Sequence, residues 1–120
     1  MLGCYKQAFG IENVCWAPIA DFEICDRTTL QDIILPFLLM SDQGQQKTAV
    51  HCSGGIGRTG QVLAAWLVFG RGLPQQAAIQ AVRQTGRNPY EAVIAALFRR
   101  KNPFRVLADL NDLVESCECN

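Results

Sequence analysis

Between Gln43 and Tyr90 the chain contains no aspartate or glutamate. That stretch carries Lys47, Arg58, Arg71, Arg83 and Arg87, so a chain of zero formal net charge has a cationic middle and anionic flanks. Such a field suits an anionic ligand. Long apolar runs are also missing. No stretch of 18 apolar residues occurs, which excludes a transmembrane helix, and the opening MLGCYKQAFG lacks the apolar core of a signal peptide. Histidine is nearly absent: His51 stands alone. No repeat, linker or low-complexity tract divides the chain. The six cysteines follow no spacing of a small secreted disulfide framework, so free thiols in a reducing, cytoplasmic setting are expected. Cys117-Glu118-Cys119 offers two ligands in a terminal tail, too few for a metal site.

What is present is 120 residues with 49% apolar content, enough for a real core in a single domain, 1–120. The segment VCWAPI (14–19) reads as a short buried strand, and KTAVHC (47–52) as the next. TTLQDIILPFLLMSD reads as a helix capped by Thr28 or Thr29 and kinked or split at Pro36. RTGQVLAAWLVFG is apolar nearly all round and should form a buried helix. PQQAAIQAVRQTG follows, with Pro74 in its first turn and Gly86 at its end. NPYEAVIAALFRRK and PFRVLADLNDLVESC complete a helical C-terminal half. Alternating strands and helices predict an α/β fold: a central sheet containing a parallel pair, flanked by helices.

The segment VHCSGGIGRTG (50–60) then falls between a strand and a buried helix, where parallel α/β sheets bind ligands. GIGRTG matches a dinucleotide-binding glycine pattern literally. That pattern wants an acid about 20 residues on, and none occurs before Glu91. A nucleotide P-loop needs Gly-Lys-Ser/Thr, and Gly60-Gln61-Val62 stands there instead. The reading that uses every residue starts from Cys52 and Arg58, separated by Ser53, Gly54, Gly55, Ile56 and Gly57. A loop curled over those five can aim successive N–H groups at one anion, and the helix that follows adds its positive end. Arg58 can place two donors on a tetrahedral oxyanion. A cysteine in such a field is a thiolate, hence a nucleophile facing a bound phosphate.

His51-Cys52-x5-Arg58-Thr59-Gly60 resembles the signature of the protein tyrosine phosphatase superfamily, in the form carried by tyrosine and small dual-specificity phosphatases. The resemblance extends over roughly residues 14–95. It implies a thiophosphoryl-enzyme intermediate and neither metal nor cofactor. It also implies a general acid on a loop some 30 residues before the cysteine. Asp21, in APIADFEICD (17–26), fits that place, with Asp26 the alternative and Glu23 a third. The larger members carry Trp-Pro-Asp where this chain has Ile19-Ala20-Asp21, so their loop closure does not carry over. By the same resemblance, the Thr59 hydroxyl donates to the cysteine sulfur and His51 supports the loop. Arg87 and Asn88 fall where the family has a loop positioning substrate or water. Cys15 reads as apolar filler, with a resolving role for an oxidised Cys52 as the alternative. The family's first strands should precede residue 1, so a minimal or N-terminally truncated member is expected.

The expected activity is that of a cysteine-dependent phosphoprotein phosphatase acting on phosphotyrosine, and also on phosphoserine or phosphothreonine. A loop without lysine disfavours polyphosphorylated ligands. The alternatives are a phosphatase for RNA 5′-ends or phosphoinositides, and a phosphate-binding module without turnover. The partner expected is a phosphorylated protein, with no nucleic acid and no membrane.

Overall fold

The computed structural model describes residues 2–53 and 56–118. Helix α1 (Leu2–Phe9) is followed by a single 3-10 turn (Ile11–Asn13) and then by irregular chain through residue 26. A wide π turn (Thr29–Ile34) leads into α2 (Leu35–Gln43). Irregular chain then leads to α3 (Gly57–Arg71), α4 (Gln75–Gln84), α5 (Glu91–Phe98) and α6 (Pro103–Glu115).

The predicted parallel sheet does not form among the described residues. Among the described residues there is no strand, and the segments 14–19 and 47–52 run as irregular chain. No backbone hydrogen bond joins them among the described residues. The burial expected of 14–19 fails too, since none of its residues is buried and Trp16 is 67% exposed; a strand needs a neighbour in register, and a lone pair of strands is marginal in water. Ala17, Ile19 and Val50 do pack against the core, but as coil.

Helices α2 to α6 fall where their patterns place them, whereas α1 answers to no pattern singled out in the sequence. Pro36 lacks an N–H, and the turn before it opens to π geometry, so the break predicted there appears as a widening. The cap of this helix is not Thr28 or Thr29. Asp26 accepts from the N–H groups of Thr28 (3.0 Å) and Thr29 (3.3 Å) and from the Thr29 hydroxyl. Helix α3 ends at Gly72 in the left-handed region (φ 68°), where the Leu73 N–H bonds Leu67 O at 3.1 Å and closes a Schellman turn.

Helix α3 is the axis of the molecule. It packs against α4, α6 and α2, and α5 lies against α6. Val62, Ala65 and Val68 of α3 meet Leu30, Leu35, Leu38, Leu110, Leu113 and Val114 in the main core. Ala64 meets Ile79 and Val82 of α4 on the other side. From Gly57 to Gly70 no residue of this helix is exposed, in line with its apolar pattern, and the packing makes its N-terminus a fixed platform.

Candidate functional site

The segment from His51 to Gly60 runs into the N-terminus of that platform. Gly54 and Gly55, two of the five residues expected to cradle an anion, lie outside the described residues. Ser53 and Ile56 are exposed, Cys52 is half-buried, and Gly57 is the buried first residue of α3. Thr59 is buried, and its hydroxyl donates to Cys52 Sγ at 3.2 Å. One helical turn thus ties the sulfur to α3. His51 is exposed and stands edge-on to the Tyr5 ring of α1, with centroids 5.5 Å apart.

Arg58 turns toward the 17–26 segment. Its Nη1 donates to Ile19 O at 2.9 Å, and its Nη2 lies 2.5 Å from Asp21 Oδ1. The arginine side chain is largely covered and the aspartate's is 70% exposed, so the pair sits at the mouth of the site and is open to salt. Asp21 is presented by a tight turn in which the Glu23 N–H bonds Ala20 O at 3.1 Å, with Phe22 in the left-handed region (φ 61°). That conformation is costly for an aromatic residue.

The other two acids have different partners. Asp26 is committed to its helix cap. Hydrogen bonds from the Thr29 hydroxyl and then from the Thr29 and Thr28 N–H groups outweigh desolvation and hold its carboxyl below the usual range. Glu23 lies 2.5 Å from Lys101 Nζ and 3.9 Å from Arg99 Nη1. The Lys101 hydrogen bond is the main cause that lowers its carboxyl. Of the three candidate acids, Asp21 is the one that meets Arg58.

Three further residues shape the site, one of them, Gly60, known from the sequence only as the last position of the signature. Gln61, buried in α3, holds the 17–26 segment by its backbone: Oε1 accepts from Cys25 N–H at 2.7 Å and Nε2 donates to Glu23 O at 2.9 Å. A glutamine within an otherwise apolar stretch, Val62 to Phe69 following it, was the clue available. Gly60 is the second. A Cβ there would lie 3.0 Å from Pro89 N and 3.1 Å from Asn88 C, so the 88–89 backbone rests directly on α3. Glu91 is the third. A Cβ on Gly57 would come within 2.6 Å of its Oε1 and 2.8 Å of its Cβ. The 87–88 expectation divides. The Asn88 N–H bonds Ile56 O at 3.2 Å, at the end of the loop, whereas Arg87 bonds its own turn at Thr85 O. Cys15 is half-buried, and burial pushes its thiol up.

The arrangement puts a sulfur, a guanidinium and a carboxylate around the start of one helix. A family model described as "Tc-R-P: Polymorphic toxin system, DSP-PTPase phosphatase" matches residues 5–72. The chain is 30% identical over 98 residues to the mouse protein named protein tyrosine phosphatase domain-containing protein 1, covering 82% of this chain and 13% of that protein. The bovine protein of the same name is 35% identical over 63 residues, covering 52% of this chain and 8% of the relative. The Caenorhabditis elegans tyrosine-protein phosphatase cdc-14 is 38% identical over 52 residues, covering 43% of this chain and 7% of the relative. The chain thus spans a small part of the length of these relatives. No solved structure matches it significantly. With more than half of its length matched by the family model, the chain belongs to the DSP-PTPase phosphatases, within the protein tyrosine phosphatase superfamily.

Proposed function

We propose that this chain hydrolyses phosphomonoesters on proteins through a covalent phosphocysteine at Cys52. The observation that carries the reading is the convergence of Cys52, through the Thr59 hydroxyl, and Asp21, through Arg58, on the first turn of α3. A phosphate entering there takes the place of the Asp21 carboxylate on the guanidinium. Arg58 and the amides of residues 53–57 hold its equatorial oxygens. The Cys52 thiolate attacks phosphorus, the ester P–O bond breaks, and the leaving oxygen takes the Asp21 proton. Water then attacks phosphorus and gives a proton to the Asp21 carboxylate. The S–P bond breaks, and the thiolate and inorganic phosphate are regenerated. The Thr59 hydroxyl, at 3.2 Å, stabilises the departing sulfur in this second step.

A phosphoprotein is favoured over a polyphosphorylated ligand because residues 53–57 bring no lysine for further phosphates. The test is hydrolysis of a small aryl phosphate with and without vanadate, followed by a panel of phosphotyrosine and phosphoserine/threonine peptides. Vanadate-sensitive turnover with peptide hydrolysis supports the reading. Phosphate binding without turnover would show a binding module instead.

A further inference from the structure

From the last residue of α5 through the joining turn into the first residues of α6 the chain reads Phe98-Arg-Arg-Lys-Asn-Pro-Phe-Arg105, four cations with no acid. Phe98 is 84% exposed and Phe104 81%. Leu97, Ile94 and, from the signature loop, Ile56 are exposed large apolar side chains as well. Two of the cations reach back to the segment that bears Asp21. Arg99 Nη1 lies 3.4 Å from Asp21 O, its guanidinium sits 5.9 Å from the Phe22 ring centroid, and Lys101 pairs with Glu23. Arg100 and Arg105 are exposed and make no ion pair among the described residues. Arg100 also holds a left-handed backbone (φ 56°). An apolar and cationic stretch therefore lies against the backbone of the Asp21 turn, whose carboxylate meets Arg58. Exposed aromatic rings interleaved with arginine are the composition of an interaction surface.

We propose that this stretch is the ledge on which the polypeptide flanking the phosphorylated residue lies, and that it selects flanks carrying acidic side chains beside an apolar one. The inference rests on the phosphoprotein reading above and narrows it. Two observations choose a peptide over other anionic partners. The stretch lies against the Asp21 turn, so a chain that delivers its phosphate to Cys52 must run beside it. Its unpaired cations, Arg100 and Arg105, flank the paired Lys101 and alternate with the two phenylalanines, which matches acidic and apolar side chains on one extended strand.

The experiment compares three phosphotyrosine peptides, with acidic-apolar, neutral and basic flanks, against a small aryl phosphate. It uses the wild type and the double variant Arg100→Gln/Arg105→Gln. An exposed ion pair contributes a factor of about 1.5 to 5. The acidic-flanked peptide should therefore exceed the neutral one roughly fivefold in kcat/KM at low salt. That preference should collapse in the double variant and at high salt, while aryl phosphate hydrolysis stays unchanged. Phe98→Ala/Phe104→Ala should weaken the same peptide without affecting the aryl phosphate. Binding of the peptides to the Cys52→Ser form reads the ledge independently of turnover. Equal rates for acidic and neutral flanks, or a preference that survives the double variant, would overturn the proposal. So would sedimentation with phosphatidylserine vesicles that requires Arg100 and Phe98, in the absence of any peptide preference. If no substrate is hydrolysed but acidic-flanked peptides still bind through Arg100 and Arg105, the ledge stands and the phosphatase reading falls.

Discussion

Asp21 Oδ1 lies 2.5 Å from Arg58 Nη2, so the guanidinium holds an anion from its own chain. In the proposed mechanism, the proton donor and the phosphate-binding cation thus occupy each other. A substrate must displace the one to reach the other. Because the aspartate is mostly exposed, the competition is weak and falls with ionic strength.

Asp21→Asn should therefore tighten binding of phosphate or vanadate by about 1.5- to fivefold at low salt, through loss of the competing charge. It should at the same time lower kcat strongly and remove the basic limb of a bell-shaped pH–rate profile. Asp26→Asn, at the helix cap, should keep both limbs. Weaker phosphate binding in Asp21→Asn, or loss of the basic limb in Asp26→Asn, would dismantle this assignment.

Cys52→Ser should abolish turnover while retaining phosphate or phosphopeptide binding, since Arg58 and the loop amides remain. Arg58→Lys preserves the charge but not the two-donor fork, and it should lose most activity. Near-normal rates in either variant contradict the covalent scheme. Titration calorimetry with phosphate, beside steady-state kinetics, separates the two effects.

Gln61→Leu leaves the Cys25 N–H and the Glu23 carbonyl without their partner. The expected loss of stability is about 2 kcal/mol, read by urea denaturation. The loosened 17–26 segment should also cost roughly tenfold in kcat with a smaller change in KM. An unchanged kcat at reduced stability would make Gln61 a purely structural residue.

Gly60→Ala forces a Cβ to 3.0 Å from Pro89 N, against backbone that cannot rotate away. The expected cost is about 1–3 kcal/mol, with a parallel loss of activity because Asn88 is bonded to Ile56 at the loop. Wild-type melting behaviour in this variant would show that the 88–89 segment yields freely.

Burial pushes the Cys25 thiol from 9.0 up to about 12, and the Asp26 carboxylate and Cys117 add to that rise. A group whose value is raised on folding contributes its full stability below the unfolded value and loses it as pH climbs through the folded one. The unfolding midpoint should thus fall as pH rises from 9 toward 12. Iodoacetamide at neutral pH should label Cys52 and spare Cys25, as peptide mass mapping would show. Labelling of Cys25 at a comparable rate would mean that the core around it opens freely.

What the sequence determined alone is local. The spacing of Cys52 and Arg58, the break near Pro36, the start of α4 at Pro74 and its end before Gly86 follow from residues within a turn or two of each other. Backbone stereochemistry and helical periodicity act at that range. The tertiary structure decided the rest. The resemblance ranked Asp21 ahead of Asp26 and Glu23, but only the tertiary structure gives each of the three acids its partner. Asp21 meets Arg58 because Thr28 and Thr29 occupy Asp26 and because Lys101, 78 residues away, takes Glu23. Gln61 reaches backbone groups 36 and 38 residues away, which no local pattern encodes. The two apolar segments expected to be buried strands took neither form: they run as irregular chain, Trp16 is 67% exposed, and Ala17, Ile19 and Val50 are only partly covered against the core. An apolar side chain can favour burial, but both its cover and a ladder depend on a second segment arriving beside it.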